Sequence, residues 1–400
     1  MHDRRCENPY RDALQHLRDA HSLRRAPEGE GGGAGGGSGL SVSFVGLHDS
    51  FVASLHAALG SGAGSDHAAG TVLLLYMTLE ANARFLHFVL AKSDPEALLA
   101  PLLAMLYSHA HMPAAGAGGA SAAGSDPLAS ASTYILLVVL LILTNDGIYC
   151  ANLHTAECSV GNVEWYRQRV LSNISLGSLV VVVLIRTLQS NLRHQDAYIG
   201  RNSLCVLSNM APHFSALHPY AAQRMVYLFE VLSKRSIALA NRLRPPPATE
   251  GGEASEAAES EVVLESAAAP SPQTDDESLR VCIEVCIELR GTTLELFRLS
   301  LTHAVTRNPH LIYALMHKRQ VFEKYQQAGA LAQQALAPAH AETSVRSQRA
   351  AAEGCALDLI FSLTNFFSAH VEVSSRPSHS PPSLRFLSLG QGWCKALARA

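Results

Sequence analysis

The side chains in this sequence that are best suited to chemistry are its 19 histidines and eight cysteines. Two pairs of histidines are closely spaced, His109 with His111 and His213 with His218. A zinc site requires ligands that converge from several elements, together with groups that orient them. Because neither histidine pair has a cysteine or a carboxylate in register with it, these pairs do not predict a metal site, and no cofactor is expected.

The pair Cys282 and Cys286 lies four residues apart, which places both thiols on one face of a predicted helix. Val285 and Leu289 share that face, so we expect the thiols to pack in the core rather than to act as thiolates. The other cysteines are scattered along a long chain, which is typical of reduced thiols in a cytosolic protein. The sequon Asn173-Ile174-Ser175 lies in a predicted helix and does not indicate glycosylation.

Motifs for nucleotide or ester chemistry are absent from the sequence. It contains no phosphate loop, no dinucleotide fingerprint and no nucleophile elbow. The glycine tracts at 31–39 and 113–124 lack the strand before and the helix after them that phosphate binding requires. No stripe of basic residues with interleaved aromatics points to nucleic acid. The sequence therefore favours a protein that is not an enzyme and binds neither nucleic acid nor a small-molecule substrate.

Composition favours helices and a soluble chain. Hydrophobic residues make up 48% of the sequence and aromatic residues only 6%. The longest apolar runs, Tyr134–Leu143 and Leu179–Ile185, are shorter than the roughly 18 residues of a membrane-spanning helix. The N-terminus has no apolar core of a secretory signal. Residues 245–279 carry nine acids and no basic residue; without them the formal net charge of −3 becomes +6. That balance is compatible with contact to an anionic membrane, although an ordinary solvated surface is the simpler interpretation.

Consecutive helices are predicted between residues 162 and 235. The first is expected to begin after Asn162, where apolar residues recur at helical spacing. These residues are Val163, Tyr166, Val170 and Ile174. The run Leu179–Ile185 is apolar on every side, so its helix should be covered on more than one face. Two further apolar stripes are Leu204, Leu207 and Met210, and Met225, Leu228, Phe229 and Leu232.

Other predicted helices lie on both sides of this region. They are a helical pattern from Leu40 with Phe44, Leu47, Phe51 and Leu55 on one face, Thr71–Ala91, a helix that starts at Ser93-Asp94-Pro95-Glu96 and runs past Leu106, Tyr134–Leu143, Leu279–Leu289, Thr293–Val305, and Asn308 to about Gln327. Small or polar residues predict breaks between them at Gly60 to Gly70, at Cys150 to Gly161 and at Gly291. Helices joined by short polar turns are typical of helical repeat folds.

Composition also sets the predicted domain boundaries. We expect a partial helical remnant at 1–25, a Gly-rich linker at 26–39 and a helical repeat domain at 40–242 that contains a disordered Ala/Gly/Ser insertion at 113–131. An acidic disordered loop should follow at 243–278, and the helical repeat should continue at 279–370. Residues 371–400 have no helical period and are expected to be irregular.

Several motifs keep an order that resembles the dymeclin family. WY…RVL…ISLGSL…IRT, then LSNM, then HPYAAQR…LF…LSK lie within 162–235, and NPY at 8–10, LLLY at 73–76, PLLAMLY at 101–107, LLILTNDG at 140–147 and NPHLIYALMHKR at 308–319 flank them. The resemblance covers roughly residues 8–330, in pieces. It implies an all-α, α-solenoid-like repeat array of the HEAT or armadillo type. It also implies a non-catalytic scaffold, peripheral to the cytosolic face of the Golgi apparatus, that is required for Golgi organisation and for vesicle traffic from the endoplasmic reticulum.

The sequence departs from that family at both ends. Family members resemble N-myristoylated proteins that begin Met-Gly, whereas residue 2 here is His2, so the acceptor glycine for myristate is absent. The chain also begins where family members are near their midpoint, and its end diverges from 371 onward. We therefore expect a fragment of a longer protein, with an altered C-terminal tail.

Two segments are candidates for binding cytosolic or Golgi-associated proteins. Their residues are Trp165, Tyr166, Arg167 and Arg169 at a predicted helix start, and His218, Tyr220 and Arg224 in HPYAAQR. Aromatic and arginine side chains are frequent in protein interfaces, but the first group could equally anchor a connection to the core, and HPYAAQR could be a tight junction between helices. The acidic segment could be a docking tail or a solvated spacer. The alternative function is a helical integral membrane protein with Tyr134–Leu143 or Leu179–Ile185 embedded.

Overall fold

The computed structural model describes most of the helical regions of the chain. The described residues are 9–20, 41–61, 66–111, 127–159, 163–194, 196–243, 276–326 and 343–373. The chain divides into two compact units. Unit 1 comprises Met1–Ser190 with Tyr198–Ala221, and unit 2 comprises Asn191–Ala197 with Ala222–Ala400. The described part is all-α, apart from one pair of two-residue strands.

The longest helices that lie wholly in unit 1 have 18 residues. Its elements are α1 (Pro9–Gln15), β1 (Arg18–Asp19), β2 (Ser41–Val42), α2 (Phe44–Ser61), α3 (Asp66–Ala81), α4 (Ala83–Leu90), α5 (Glu96–His111), α6 (Pro127–Thr144), α7 (Gly147–Thr155), α8 (Leu176–His194), which reaches Ser190 within this unit, α9 (Ala197–Met210) and a 3-10 turn (Ala211–His213). The core forms where α3 packs against α6, and α2 against both α3 and α5.

Unit 2 is built from longer helices. Its elements are α10 (Pro219–Leu243), which enters this unit at Ala222, α11 (Asp276–His303), a 3-10 turn (Val305–Arg307), α12 (Pro309–His317), α13 (319–326) and α14 (Thr343–Val373). The main contact is between α11 and α14, and α12 also packs on α14. Phe229, Phe297 and Phe322 meet in the core of this unit, with ring centroids 4.7 to 6.4 Å apart.

The apolar patterns that predicted helices are confirmed in most places. All residues of Leu179–Ile185 are fully buried, as expected for a helix covered on more than one face. The apolar stripes of α2, α5, α9 and α10 face the core. Their buried members include Phe44, Phe51, Leu55, Leu98, Leu102, Leu106, Leu204, Leu207, Met210, Met225, Phe229 and Leu232.

The helix predicted over Thr71–Ala91 is two helices that meet at Asn82. Its side chain accepts a hydrogen bond from Phe85 N (2.9 Å) and donates to Leu14 O (2.9 Å) and to Leu17 O (3.0 Å). Capping by Asn satisfies an amide at the start of α4, and α4 bends from α3 by 105°. The sequence prediction failed because apolar periodicity continues through the bend, and the partners of the amide lie far away in the chain.

Three loops predicted between the helices of unit 1 are longer than those in the structure. Helix α3 already begins at Asp66, inside the loop expected at Gly60 to Gly70. Helix α7 covers the start of the connector expected at Cys150 to Gly161, because Asp146 caps it by accepting from Tyr149 N (2.7 Å). Helix α6 starts at Pro127, within the insertion predicted at 113–131.

The predicted break at Gly291 is also wrong, because α11 runs through it without interruption. A Cβ atom at Gly291 would lie 2.9 Å from Oε1 of Glu353. The glycine therefore makes room for a side chain of α14 rather than ending a helix. Asn308 precedes α12 as predicted, but its side chain donates back to Ala304 O (2.9 Å) and does not cap the helix.

The largest difference is at the predicted helix after Asn162. Residues 164–175 form turns, bends and extended chain. Val163, Tyr166 and Ile174 are buried as the spacing suggested, whereas Val170 is 91% exposed. Apolar residues at helical spacing here are anchors of an irregular segment, which periodicity alone cannot distinguish from a helix.

Several predicted regions lie outside the described residues. These are the linker at 26–39, residues 113–126 of the insertion, residues 244–275 of the acidic loop and residues 374–400 of the tail. The start of the tail, 371–373, is the last turn of α14.

By length and composition alone, one helical stretch of the described part could cross a membrane, Gln348–Ala369 of α14. Two bent pairs would also qualify if each were one span: α3 with α4, and Ser130–Thr144 of α6 with α7, bent by 98°. The prediction that no stretch is long enough was therefore incomplete. It considered uninterrupted apolar runs, whereas Gln348–Ala369 is apolar on average and includes Glu353 and Asp358.

Candidate functional site

The irregular segment between α7 and α8 is a loop whose two ends are tied together. Leu176 N donates to Ala156 O (2.8 Å), and Cys158 N donates to Ile174 O (3.0 Å). On the neighbouring helix α5, the Glu96 carboxylate accepts from the amide and the hydroxyl of Ser159 (2.7 and 3.0 Å). Closed ends of this kind are typical of Ω-loops, which often carry function. We call the described residues of this segment, 158–159 and 163–174, the anchored loop.

Buried side chains hold the anchored loop on both sides of an exposed tip. Tyr166 and Leu171 are 4% and 7% exposed, whereas all four residues between them lie in solvent. These four residues, the loop tip, are Arg167, Gln168, Arg169 and Val170. The tip is therefore presented by a fixed frame, although it makes few contacts itself.

Four aromatic rings support the loop tip. Tyr107 of α5 lies 5.4 Å from Trp165 and 5.0 Å from Tyr166, between ring centroids. The Tyr107 hydroxyl accepts a hydrogen bond from the amide of Arg167 (3.2 Å). The hydroxyls of Tyr166 and Tyr220 are 3.1 Å apart. The three tyrosine hydroxyls thus have hydrogen-bond partners, and the backbone of the tip is held at its first residue, Arg167.

Cationic groups surround the aromatic cluster. The guanidinium of Arg169 lies 5.3 Å from the centroid of the Tyr220 ring, a cation–π arrangement. The side-chain amide of Gln168 satisfies both neighbours when its oxygen accepts from Arg186 Nε (2.9 Å) and its nitrogen donates to the Tyr166 hydroxyl (3.0 Å). These contacts hold the side chains of Arg169 and Arg186 in place beside the aromatic cluster.

Tyr220 is positioned by the turn before α10. Ala216 has a φ of +48°, a left-handed conformation that costs a non-glycine residue about 1 kcal/mol or more. The amide of His218 donates to Ser178 Oγ (3.1 Å), and the imidazole Nδ1 of His218 accepts from Tyr220 N (3.2 Å). In the anchored loop, Asn173 has a φ of +54°. Both segments of this surface therefore contain a strained non-glycine residue.

Two glycines, Gly177 and Gly147, leave room for the side chains of His154 and His213. A Cβ atom at Gly177, in ISLGSL, would lie 2.5 Å from Cε1 of His154. A Cβ atom at Gly147, in LLILTNDG, would lie 2.8 Å from Nε2 of His213. His154 is 6% exposed and packs edge-on against Phe214. These histidines act in packing, and only glycine fits against them.

The structure brings together four of the seven predicted binding residues. Trp165, Tyr166, Arg169 and Tyr220 form the aromatic cluster with its cation. Arg167 extends from the loop tip, and His218 supports the turn below Tyr220. Arg224 belongs to unit 2 and lies 5.5 Å from the centroid of the Tyr227 ring.

Sequence reasoning missed Tyr107, Gln168, Arg186 and Val170 at this surface. Tyr107 ends an apolar helical stripe. Nothing in the local sequence indicates that its hydroxyl contacts Arg167, 60 residues away. Val170 was assigned to the core by its spacing. The one available signal was the WY…RVL motif, in which the aromatic and basic residues are adjacent.

Unit 2 contains a second arginine–tyrosine stack, and this one is buried. Arg290 is fully buried, and its guanidinium lies 4.4 Å from the centroid of the Tyr325 ring. It donates to Ser236 Oγ (2.9 Å) and approaches Glu353 Oε2 (3.5 Å), which also accepts from the Tyr325 hydroxyl (2.8 Å). Burial raises the pKa of Tyr325 above its usual value, so the hydroxyl stays protonated and donates. This network joins α10, α11, α13 and α14.

Burial makes three thiols of the described part, those of Cys150, Cys158 and Cys286, poorly suited to nucleophilic chemistry. Burial, together with the nearby Glu96 carboxylate, raises the pKa of Cys158 to about 12. Burial also raises the pKa of Cys286, although Arg235 opposes the shift. As predicted, Cys282 and Cys286 share one face of α11. With Val285 and Leu289 they line a small cavity of about 50 Å³ in unit 2.

No metal centre is assembled from the histidines, cysteines and carboxylates that the structure describes. The imidazole of His109 lies 3.1 Å from Thr133 Oγ1, and that of His213 packs against Gly147. His218 supports Tyr220, as described above. The anchored loop, with its exposed cations and supported aromatic rings, is the candidate functional surface of the described chain.

Comparison with known proteins identifies relatives over most of the chain. The family model "Dymeclin: Dyggve-Melchior-Clausen syndrome protein" matches residues 1–384. The chain is 36% identical to Dymeclin of Drosophila melanogaster over 254 residues, which is 63% of this chain and 31% of that protein. It is 35% identical to Dymeclin of Mus musculus over 277 residues, 68% of this chain and 35% of that protein. A third relative, Dymeclin of Dictyostelium discoideum, is 34% identical over 173 residues, 43% of this chain and 17% of that protein.

No solved structure matches the chain. The matched part spans about a third of the length of the fly and mouse relatives. The family model covers nearly the whole chain, and the matched range includes the residues of the anchored loop. The chain belongs to the Dymeclin family.

Proposed function

We propose that this chain is a non-catalytic scaffold of the cytosolic face of the Golgi apparatus, needed for Golgi organisation and for vesicle traffic from the endoplasmic reticulum. Its partners would be cytosolic or Golgi-associated proteins, with weak reversible membrane contact, and it would exchange with the cytoplasm. The observation that carries the proposal is the anchored loop, which presents Trp165, Arg169 and Tyr220 on a helical body. Trp, Tyr and Arg are the residue types that dominate binding energy in protein interfaces.

We further propose that unit 1 is an α-solenoid-like repeat array. Two consecutive groups of three helices have the same form, α2–α3–α4 and α5–α6–α7. In each group two long helices precede a short one, of 8 and 9 residues, that bends away by 105° and 98°. Equivalent helices pack on each other, since α2 contacts α5 and α3 contacts α6. Stacking of like units into a continuous core is the principle of the HEAT and armadillo folds.

The test is the location of the fluorescently tagged chain relative to a Golgi marker. A full-length family member with its Met-Gly start serves as the positive control. We expect the wild-type chain to be enriched at the Golgi and the variant Trp165→Ala/Arg169→Gln to be diffuse. A matched variant, Arg84→Gln on an exposed position of α4, should be placed like the wild type. A diffuse wild-type chain beside a correctly placed control would refute the proposal for this part of the protein.

The integral-membrane alternative makes a different prediction. Leu179–Ile185 is fully buried inside the protein, which supports a core role for that run. In Gln348–Ala369 the apolar residues Leu357, Ile360 and Leu363 are buried within unit 2. Extraction of membranes with alkaline carbonate separates the two functions, because only an integral protein stays in the pellet. Recovery of the chain in the supernatant is expected.

A further inference from the structure

The loop tip combines an aliphatic side chain with two cations in four consecutive exposed residues. Val170 is 91% exposed, the highest exposure among the large apolar residues that the structure describes. Isolated apolar residues on a surface are common and carry no information by themselves. Here, however, Arg167 and Arg169 lie next to the valine on a loop whose ends are fixed. The combination, rather than the exposure, requires an explanation.

Within the part of the chain that the structure describes, the two arginines of the loop tip form no ion pair with a carboxylate. Among the ion pairs of the described residues, Arg11, Arg298 and Arg319 each contact a carboxylate, but Arg167 and Arg169 contact none. The buried stack in unit 2 shows the complete arrangement, in which Glu353 approaches the guanidinium on the ring of Tyr325. At Tyr220 the guanidinium of Arg169 is stacked in the same way, but Arg169 forms no ion pair with a described carboxylate. An anion from outside the chain would complete it.

The shape of the loop tip fits the surface of an anionic bilayer better than it fits a bound peptide. A bound peptide is normally held in a groove, whereas the tip is a run of four exposed residues that projects between two buried anchors. At a bilayer, aliphatic side chains enter the apolar layer, arginines pair with headgroup phosphates and Trp and Tyr lie at the interface. The tip valine, the flanking arginines and Trp165 with Tyr220 at the base offer the same three kinds of group.

We propose that the loop tip is a lipid-contact site, in which Val170 enters the headgroup region of an anionic bilayer while Arg167 and Arg169 bind lipid phosphates and carboxylates. The proposal deepens the proposed function, on which it rests, by naming the residues that touch the Golgi membrane. Each arginine close to an anionic surface strengthens binding about fivefold, so the contact is weak and reversible by itself. It supplements protein contacts rather than replacing them.

The test is flotation of the full chain with vesicles, which needs no identified partner. One set of vesicles is phosphatidylcholine alone, and the other is phosphatidylcholine mixed with phosphatidylserine. We expect flotation only with the phosphatidylserine vesicles and a loss of flotation at high salt, because the pairing is ionic. In a Trp393→Phe background, brominated lipid should also quench the fluorescence of Trp165, then the sole tryptophan.

Three variants of the tip have separate expectations. Arg167→Gln/Arg169→Gln should weaken the partition coefficient about thirtyfold, and Val170→Asp at least about tenfold. Val170→Phe should strengthen it, a gain that misfolding cannot produce. Matched controls are Val45→Asp, at another exposed valine (44%), and Arg84→Gln, and both should bind like the wild type. Circular dichroism would verify that each variant is folded.

The outcomes distinguish this proposal from the proposed function. Flotation that is equal for both vesicle types, or unaffected by the three tip variants, would overturn the lipid contact. A Val170→Asp variant that no longer floats but is still placed at the Golgi would support the lipid contact and leave the scaffold function standing, because protein contacts would then suffice for placement. Diffuse location of the wild type despite selective flotation would refute the Golgi function alone.

Discussion

The same pair of side chains, a guanidinium stacked on a tyrosine ring, occurs once at the surface of unit 1 and once in the interior of unit 2. Arg169 lies 5.3 Å from the ring centroid of Tyr220, and Arg290 lies 4.4 Å from that of Tyr325. The buried arginine has Glu353 beside it, whereas the exposed one has no carboxylate among the described residues.

This difference shows how burial decides the role of identical chemistry. A charge that is removed from water must be paired, so the interior stack includes its anion and connects four helices. A charge in water needs no internal partner and stays available to a partner from outside. The buried cluster should therefore contribute to stability and the exposed cluster to binding. Each prediction below tests that division.

Arg290→Met should cause the largest loss of stability. It leaves Glu353 as a buried carboxylate without its cation, which typically costs about 3 kcal/mol or more in the free energy of unfolding. Arg169→Met, at the exposed stack, should change that free energy by less than about 0.5 kcal/mol. Urea denaturation followed by circular dichroism measures both.

The double variant Arg290→Met/Glu353→Leu sharpens the result. It removes both charges, so it should be more stable than Arg290→Met alone. If Arg169→Met and Arg290→Met lost the same stability, the contrast between the two stacks would be wrong.

Gly177→Ala should have the next largest effect, because it disturbs the packing under the anchored loop. The new Cβ would lie 2.5 Å from Cε1 of the buried His154, and overpacking of this kind costs about 2 kcal/mol. Gly70→Ala is the matched control, since no atom lies within 4 Å of its new Cβ, and it should stabilise α3 by about 0.5–1 kcal/mol. Thermal unfolding of both variants gives the comparison; a neutral Gly177→Ala would show that His154 can move away.

Removal of one tyrosine hydroxyl from each stack should produce a smaller difference. Tyr325→Phe loses a hydrogen bond of 2.8 Å to the Glu353 carboxylate, and the expected cost is about 1.5 kcal/mol. Tyr220→Phe loses a contact of 3.1 Å with the Tyr166 hydroxyl at a half-buried position, and should cost less than about 0.5 kcal/mol. Equal losses in urea denaturation would contradict the assignment of stability to the buried cluster.

Removal of the Glu230 carboxylate, whose ion pairs are part-buried, should have the smallest effect on the free energy of unfolding. Although burial alone would raise the pKa of Glu230, hydrogen bonds from Lys234 (2.8 Å) and Lys318 (3.2 Å) lower it below the usual value. A lowered folded-state pKa contributes stability above the unfolded-state pKa of about 4.3, and that stability is lost as the pH falls through the folded-state value. The contribution should stay below about 1 kcal/mol, because both lysines are largely in solvent.

The measurement is the free energy of unfolding at neutral pH and at acid pH. The wild type should lose more stability on acidification than Glu230→Gln, which has no carboxylate to protonate. Glu164→Gln, at an exposed position of the anchored loop, is the control and should follow the wild type. Identical pH profiles for the wild type and Glu230→Gln would show that the two lysines do not stabilise the fold through this carboxylate.

Local patterns predicted the helices well, because burial of one face imposes a 3.6-residue period on the sequence. They predicted the candidate residues Trp165, Arg169 and Tyr220 from their types alone. They failed where the cause of a structure is distant in the chain. Asn82 ends α3 because Leu14 and Leu17 accept from its amide, and Gly291 is required by Glu353 rather than by a turn.

The anchored loop was mistaken for a helix for the same physical reason. Its buried residues Val163, Tyr166 and Ile174 have helical spacing, but they are held by Tyr107 and by the pairing of the loop ends. Composition cannot reveal either contact. The network of Arg290 was likewise unpredictable, because its members come from four helices that are separated in sequence.

The paired ends of the anchored loop have a consequence for proteolysis. A cut between Arg167 and Val170 would leave Tyr166 on one side and Leu171 on the other, each buried and each part of a segment that hydrogen bonds hold in place. The two pieces should therefore stay associated until the protein is denatured. Trypsin, which cleaves after arginine, could open the exposed tip and leave the helical body intact.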